Sequence, residues 1–232
     1  MSWTSERRIH ALFRHAKEQP SGWRTAIPVV LNGHLIARLE PVTAVDHGQY
    51  PLVELLARWR EAAKEAFPTQ FPVTLEGTRN WLADKVIAVP DRILWWIRGD
   101  HDGVRLGHLG LFHLDASSMS IELDNVVRGV ARGAPGLMQA SVKTLVRWAS
   151  EHLGIEEVAL RVFADNQRAV TLYERCGFRT VREIPLVCLE ETGLTSWVEQ
   201  GVDAKLPAER HFLEMRRRLT AREMQPLPRR AA

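Results

Sequence analysis

The sequence predicts an α/β fold, and three observations support that class. Runs of β-branched and aromatic residues alternate along the chain with stretches of helical periodicity. In the second part of the chain the predicted elements follow the order β-β-β-α-β-α-β. The chain has 232 residues, of which 45% are hydrophobic and 25% charged, and this suits one large core with an attached appendage.

The first elements are a predicted helix and a predicted hairpin. Residues 5–19 place apolar side chains on one face at helical spacing, which indicates a short amphipathic helix. Residues 23–42 carry two apolar runs around Asn32-Gly33, a pair that accepts the positive φ angles of a type I′ turn, and so predict a hairpin. The same helical periodicity predicts two further helices, at 52–66 and 75–89.

The remaining elements are predicted from turn residues and changes of period. They are strands at 93–97, 104–114 and 119–127, a glycine-rich segment at 128–136, a helix that Gly154 ends, a strand at 158–163, a helix at 167–175 that Gly177 ends, and strands at 178–189 and 210–219. We expect residues 192–207 to form a loop over a site. The predicted division is an N-terminal appendage (1–35), a main domain (36–220) and a basic flexible tail (221–232).

Composition excludes several classes of protein. Cys176 and Cys188 are too few for a disulfide framework, and neither has histidine or cysteine nearby at metal-ligand spacing, so no metal is expected. The N-terminus lacks an apolar signal core and no run of apolar residues is long enough to span a bilayer, so we expect a cytoplasmic protein. Nucleic acid is an unexpected partner, because the tryptophans fall mainly on predicted core faces and the arginines alternate with acids outside the tail.

The glycine-rich segment after the third strand is a candidate anion-binding site. Glycines let backbone N–H groups converge on phosphate oxygens, the helix start adds its positive dipole end, and Arg128 or Arg132 supplies charge. Because Gly136 is followed by Leu137-Met138, a Walker loop is disfavoured, and the fingerprint of a dinucleotide fold is also missing. An ordinary turn between strand and helix is the alternative.

The strongest motif lies between residues 160 and 178. After a strand come Asn166, Ala169, Leu172-Tyr173 and Gly177-Phe178, at fixed spacings. This pattern closely resembles the second half of the GNAT superfamily, the acyl-coenzyme-A-dependent N-acyltransferases. The resemblance covers residues 36–219 to within a few residues, and it implies the GNAT fold, a mixed and mostly antiparallel twisted sheet with helices on both faces.

The resemblance implies that acetyl-coenzyme A (acetyl-CoA) is the co-substrate. In the family the loop before the helix holds the pyrophosphate, and free amides of a splayed strand bind the pantetheine and polarise the thioester carbonyl. The loop of this chain departs from the usual family spacing. The cofactor residues implied are Asn125, Val126, Val127, Arg132, Gly133, Ala134, Gly136, Leu137, Asn166, Ala169 and Tyr173.

Two side chains are candidates for proton transfer. The resemblance implies that Tyr173 protonates the leaving thiolate, the alternative being a packing aromatic; Asn166 is equally placed to cap its helix. The acceptor amine must lose a proton, and Glu122 is the expected base. The alternative is that Glu122 and Asp124, on one strand face with Asn125 on the other, face solvent or pair with Arg161.

The expected reaction is N-acetyl transfer to a primary amine of a small molecule. The sequence of residues 124–129 is similar to the corresponding segment of GNAT members associated with bacterial sugar biosynthesis. The expected acceptor is therefore an amino-sugar nucleotide. Asp124, His113 and Trp197 are the predicted substrate residues, and His113 and His108, on the preceding strand, are further candidates for the base. A protein or peptide acetyltransferase and a non-catalytic acyl-CoA sensor are the rival functions, and either a monomer or a homodimer is expected.

Overall fold

The computed structural model describes residues 2–19, 26–201 and 207–220. Its helices are α1 (Ser2–Glu18), α2 (Ala44–His47), α3 (Tyr50–Ala62), α4 (Leu75–Trp81, extended by π-helical turns over Leu82–Ile87), α5 (Leu137–Trp148, similarly extended over Ala149–Leu153) and α6 (Gln167–Arg175), with a short 3₁₀ helix at Lys64–Ala66. The strands are β1 (Ile27–Leu31), β2 (His34–Pro41), β3 (Thr69–Gln70), β4 (Ile93–Gly99), β5 (Arg105–Asp115), β6 (Ser120–Arg128), β7 (Glu157–Phe163), β8 (Arg179–Glu191), β9 (Leu194–Glu199) and β10 (Arg210–Arg218). No helix within these described ranges is long and apolar enough to cross a membrane.

All the described strands join one sheet in the order β1-β2-β4-β5-β6-β7-β10-β8-β9-β3. Neighbouring strands are antiparallel except β6 and β7, which run parallel and are connected through α5. The predicted mixed, mostly antiparallel α/β architecture is confirmed.

Helices cover both faces of the sheet, as expected. Adjacent residues of a strand point to opposite faces, so Trp95 and Trp96 of β4 belong to different cores. Trp95 packs in a cluster with α1, α5 and α6, where Phe13 meets its ring edge-on at a centroid distance of 6.4 Å. Trp96 packs with α3 and the extension of α4, where Trp59 lies 6.0 Å away.

The hairpin of β1 and β2 and the helix α6 were both predicted from local sequence, and the structure confirms them. Asn32 and Gly33 both have positive φ, at 51° and 81°, as a type I′ turn requires. Helix α6 spans the predicted residues 167–175.

The expected loop over a site at 192–207 is wrong in its first half. Residues Leu194–Glu199 form β9, which pairs with β8 around Gly193 and also with the short β3. Pairing of Thr69 with Ser196 ties the segment between α3 and α4 to the far edge of the sheet. Residues 202–206 of the expected loop and the predicted tail at 221–232 lie outside the described residues.

The helix α1 is tied to the main core by a buried lysine. Lys17 is 3% exposed, and its ammonium donates to the carbonyls of Val86, Val89 and Arg92 at 3.1, 2.6 and 3.0 Å. The three acceptors lie where the extension of α4 ends and the chain turns into β4. Lys17 therefore satisfies carbonyls that the end of a helix leaves without intrahelical donors. The predicted division at residue 35 stays a prediction.

We expect Lys17→Met to lower the free energy of unfolding by about 1–3 kcal/mol, because it removes the ammonium donor from three buried or partly buried carbonyls. Chemical denaturation followed by circular dichroism measures this difference. Lys143→Met, on the exposed side of α5, is the matched control. Equal unfolding of the two variants would contradict the capping role.

Candidate functional site

A β-bulge distorts the middle of β6. Pairing with β5 shifts between Gly110↔Asp124 and His108↔Val127, so β6 carries one extra residue there. Asn125 takes up the distortion with a φ of +49°. The sequence predicted that the Asn125 side chain points to the other face of β6 from Asp124, and the bulge makes this prediction wrong. The Asn125 side chain donates to the Asp124 carboxylate at 2.7 Å instead.

A cleft opens beside the bulge because β6 and β7 separate. Their parallel pairing covers three residue pairs, from Ser120↔Glu157 to Glu122↔Ala159, and the two strands then diverge. The second half of β6 thus keeps hydrogen bonds on the β5 side, while its backbone on the other side borders open space. This is the splay that the resemblance implies for the coenzyme-binding strand.

The cleft has a volume of about 750 Å³. Its walls come from the end of α3, the bulged half of β6, the first turn of α5, and α6. Four arginines face one carboxylate in the lining, which gives the cleft a positive charge suited to a ligand with several phosphates. These charged residues are Arg128, Arg161, Arg168, Arg175 and Asp124.

Most of the predicted cofactor residues line this cleft. They are Asn125, Val126, Val127, Gly136, Leu137, Asn166, Ala169 and Tyr173. Arg132, Gly133 and Ala134 are not among the lining residues, and Arg132 pairs with Asp102 at 3.1 Å. Reasoning from the sequence missed Arg168 and Arg175, whose spacing from Leu172 along α6 places all three on the cleft side.

Tyr173 is 8% exposed and lies at the wall of the cleft. Burial raises the pKa of its phenol well above the ordinary value, with smaller contributions from Cys176 and Asp124. The phenol therefore holds its proton at neutral pH. Asn166 caps the same helix, because its side-chain oxygen accepts from the Ala169 amide at 3.2 Å. The capping alternative is thus confirmed, and the same residue still borders the cleft.

Cys176 packs behind Tyr173 and has no role in the cleft. It is 1% exposed, and burial raises the pKa of its thiol to about 11. A protonated, buried thiol is a poor nucleophile. The interpretation of Cys176 as a packing residue agrees with this position.

A second cavity, which we name the acceptor cavity for the role that we propose for it, lies between α3, α4 and the sheet. Its volume is about 500 Å³. Four residues line both the cleft and the acceptor cavity, so the two spaces meet at the bulge: Phe67, Pro68, Asp124 and Asn125. The other residues of the acceptor cavity are Leu56, Arg60, Thr69, Phe71, Val73, Gly77, Thr78, Trp81, Lys85, Arg92 and His108.

Asp124 is the carboxylate at that meeting point. Arg92 and the Asn125 amide both donate to its Oδ2 atom. Within the described residues no hydrogen bond reaches Oδ1, which leaves one oxygen able to accept from a ligand or a water molecule. Arg92 is itself oriented by its ring contacts with Phe112 and Trp81.

His108 supports the bulge from β5. Its Nδ1 lies 2.7 Å from the Asn125 carbonyl oxygen, which can only accept, so Nδ1 carries the proton. Burial lowers the pKa of the imidazole to about 4, and the ring is neutral at pH 7. It also stacks on Trp59 at a centroid distance of 5.9 Å. His108 thus lines the acceptor cavity as a neutral group.

Glu122, His113 and Trp197 are placed elsewhere. Glu122 lies 3.5 Å from the His113 ring and 3.8 Å from Arg161, in a shallow depression outside the cleft and the acceptor cavity. Trp197 packs against Phe163 and lines neither the cleft nor the acceptor cavity, although its amide donates to the Pro68 carbonyl at 2.8 Å. The pairing of Glu122 with Arg161 is the arrangement that the sequence left as its alternative.

Gly129 lets α3 approach the loop after β6. A Cβ atom there would lie 1.9 Å from the Trp59 ring. We expect Gly129→Ala to lower the free energy of unfolding by about 1–3 kcal/mol through overpacking, and to weaken coenzyme A binding by moving the loop. Thermal unfolding and calorimetric titration with coenzyme A measure the two effects. Gly201→Ala, where nothing lies within 4 Å of the added atom, is the control, and equal results for both variants would contradict the contact.

The fold and the positively charged cleft together define an acyl-CoA-binding transferase. A sequence model of the acetyltransferase (GNAT) domain family matches residues 37–179, which is more than half of the chain. The chain therefore belongs to the GNAT family and is an acyl-CoA-dependent N-acetyltransferase. A search among curated protein sequences finds no match.

Solved structures share the fold at low sequence identity. A probable GNAT acetyltransferase from Chromobacterium violaceum is 21% identical, with a TM-score of 0.60 over 86% of this chain and 92% of its own. A ribosomal protein alpha-N-acetyltransferase is 13% identical, with a TM-score of 0.58 over 87% and 96%. The spermidine N-acetyltransferase of Vibrio cholerae, in complex with CoA and spermine, is 16% identical, with a TM-score of 0.51 over 78% and 95%.

Proposed function

We propose that the chain transfers an acetyl group from acetyl-CoA, bound in the cleft, to the primary amine of a small molecule bound in the acceptor cavity. The observation that carries this proposal is the meeting of the two spaces at Asp124 and Asn125. An amine in one space and a thioester in the other would come together there, so that much of the catalysis is positioning.

The reaction we propose is a direct attack without a covalent enzyme intermediate. The amine nitrogen bonds to the thioester carbonyl carbon, the C–S bond breaks, and the acetyl group ends on nitrogen. Backbone amides on the open side of β6, in the segment that contains Val126, are placed to stabilise the developing oxyanion. Tyr173 donates its phenolic proton to the leaving sulfur and regains a proton from solvent.

We assign removal of the amine proton to Asp124 rather than to Glu122. Asp124 borders both spaces and has Oδ1 free of hydrogen bonds from the described residues, whereas Glu122 lines neither space and is ion-paired with Arg161. The carboxylate accepts the proton directly or through a water molecule. An amino-sugar nucleotide is the acceptor that we propose, and the cationic lining of the acceptor cavity supports a ligand with negative charge.

A thiol-release screen tests the proposed function. The purified chain and acetyl-CoA are mixed with amino-sugar nucleotides, peptides and polyamines, and the free thiol and the acetylated product are both measured. We expect amine-dependent thiol release with amino-sugar nucleotides. If only peptides are acetylated, the acceptor is a peptide and not an amino-sugar nucleotide. Tight binding of acetyl-CoA without release of its thiol in the presence of any amine would instead indicate a sensor.

A further inference from the structure

The acceptor cavity carries an excess of positive charge. Three cations line it, Arg60, Lys85 and Arg92, against the single carboxylate of Asp124. Arg92 is neutralised by its ion pair with Asp124, so the charges of Arg60 and Lys85 stay unbalanced within the lining. A polycationic acceptor would meet repulsion in such a cavity, whereas an anion would be attracted.

Arg60 is held rigidly at the wall. Its guanidinium lies 3.5 Å from the centroid of the Phe67 ring, and Nη2 donates to the Thr69 carbonyl at 2.6 Å. Thr69 is in turn fixed by the pairing of β3 with β9. The guanidinium is therefore positioned before any ligand binds, which reduces the entropy lost on binding.

One nitrogen of this guanidinium has no hydrogen-bond partner among the described residues. Nη1 of Arg60 is buried and makes no hydrogen bond to any described residue. Burial lowers the pKa of Arg60 to about 10, against a small opposing effect of Asp124, so the group is still charged at neutral pH. A buried charged donor without an acceptor is costly, and a ligand oxygen would remove that cost.

We propose that the acceptor cavity selects amines that carry an anionic group, a phosphate or a carboxylate, which Arg60 binds through Nη1. The proposal rests on the proposed function, because it places the amine at Asp124 and the anion at Arg60. Phe71 and Trp81 add apolar walls on which a ring of the same acceptor can pack. Arg60 is thus a specificity-determining residue for the acetyl transfer.

Matched pairs of amines test this inference: glucosamine phosphate with glucosamine, phenylalanine with phenylalaninamide, and aminoethylphosphonate with ethanolamine. We expect kcat/KM to favour the anionic member of a pair by at least about tenfold in the unaltered chain. Arg60→Met should bring that ratio to about one by raising KM for the anionic member, and Arg60→Lys should keep part of it. Arg58→Met, on the exposed side of α3, is the control and should keep the full ratio.

A binding measurement separates this inference from the proposed function. Calorimetric titration of glucosamine phosphate into the chain saturated with coenzyme A should show binding that Arg60→Met weakens at least about tenfold. Equal kcat/KM for the two members of each pair would overturn the inference and leave acetyl transfer intact. A preference for the anionic member that Arg60→Met leaves unchanged would do the same. Binding of glucosamine phosphate that depends on Arg60, without thiol release from any amine, would support the anion subsite and contradict the proposed function.

Discussion

Tyr173→Phe is expected to lower kcat by about 10²–10⁴-fold, the range that a positioned general acid contributes. The KM for acetyl-CoA should stay within about threefold, because the ring keeps its packing against Phe178 at 6.0 Å and only the hydroxyl is lost. Steady-state thiol release measures both constants. A loss confined to kcat would assign the phenolic proton to the chemical step.

The sequence offers a matched control for this substitution. Tyr50, the other tyrosine of the chain, is 66% exposed at the start of α3. We expect Tyr50→Phe to leave kcat unchanged. Unchanged turnover in Tyr173→Phe as well would remove Tyr173 as the acid, and an equal loss in both variants would point to a fault common to the preparations.

The pH profile supplies a second test of Tyr173. Because burial raises the pKa of its phenol, the acid form persists at and above the pH of about 10 at which an ordinary tyrosine titrates. Deprotonation of Tyr173 therefore should not lower kcat between pH 6 and 9. A fall in kcat within that pH interval that is absent from Tyr173→Phe would contradict the raised pKa of Tyr173.

Asp124→Asn is expected to lower kcat/KM for the amine by about 10²–10³-fold, because the amide keeps the shape but accepts a proton poorly. Glu122→Gln, two residues earlier on the same strand, should change it by less than about threefold, since Glu122 lines neither space and its carboxylate pairs with Arg161. Turnover of the best amine from the thiol-release screen measures both variants.

The two variants also decide between the base expected from the sequence and the one now proposed. A large loss in Glu122→Gln with little change in Asp124→Asn would return the base to Glu122. Because Asp124 also holds Arg92, Arg92→Lys is a useful companion. If Arg92 only orients the carboxylate, this companion should lose much less activity than Asp124→Asn.

The lining of the cleft that we propose for the coenzyme was largely predictable from the sequence. Ala169 and Tyr173 lie within one short helix that Asn166 caps, and the spacing along a helix alone places these two residues on one face. Gly136 has a φ of +83° and directly precedes α5, so the expected start of that helix also followed from local chemistry. Such contacts span few residues, and backbone geometry is enough to define them.

The acceptor side was not predictable in this way. Alternation along β6 correctly places Glu122 and Asp124 on one face, but it does not show that β6 stays paired with β7 as far as Glu122 and that the cleft and the bulge begin only beyond it. A bulge depends on which strand pairs with which and in what register, and neither is written in a single strand. Gly107 and Gly110 on β5 were visible in the sequence, but the close approach of Gly107 to β6 and of Gly110 to β4 appears only once the strands are paired.

The sequence alone determined the α/β class, most of the element order and the motif of α6, because periodicity, turn residues and spacing act over short stretches of chain. The tertiary structure alone decided what surrounds the acceptor. It brings Arg60 of α3, Arg92 before β4 and Asp124 of β6 to one cavity, and ties the wall at Thr69 to β9. Contacts between residues so far apart depend on packing and register, which no local pattern encodes.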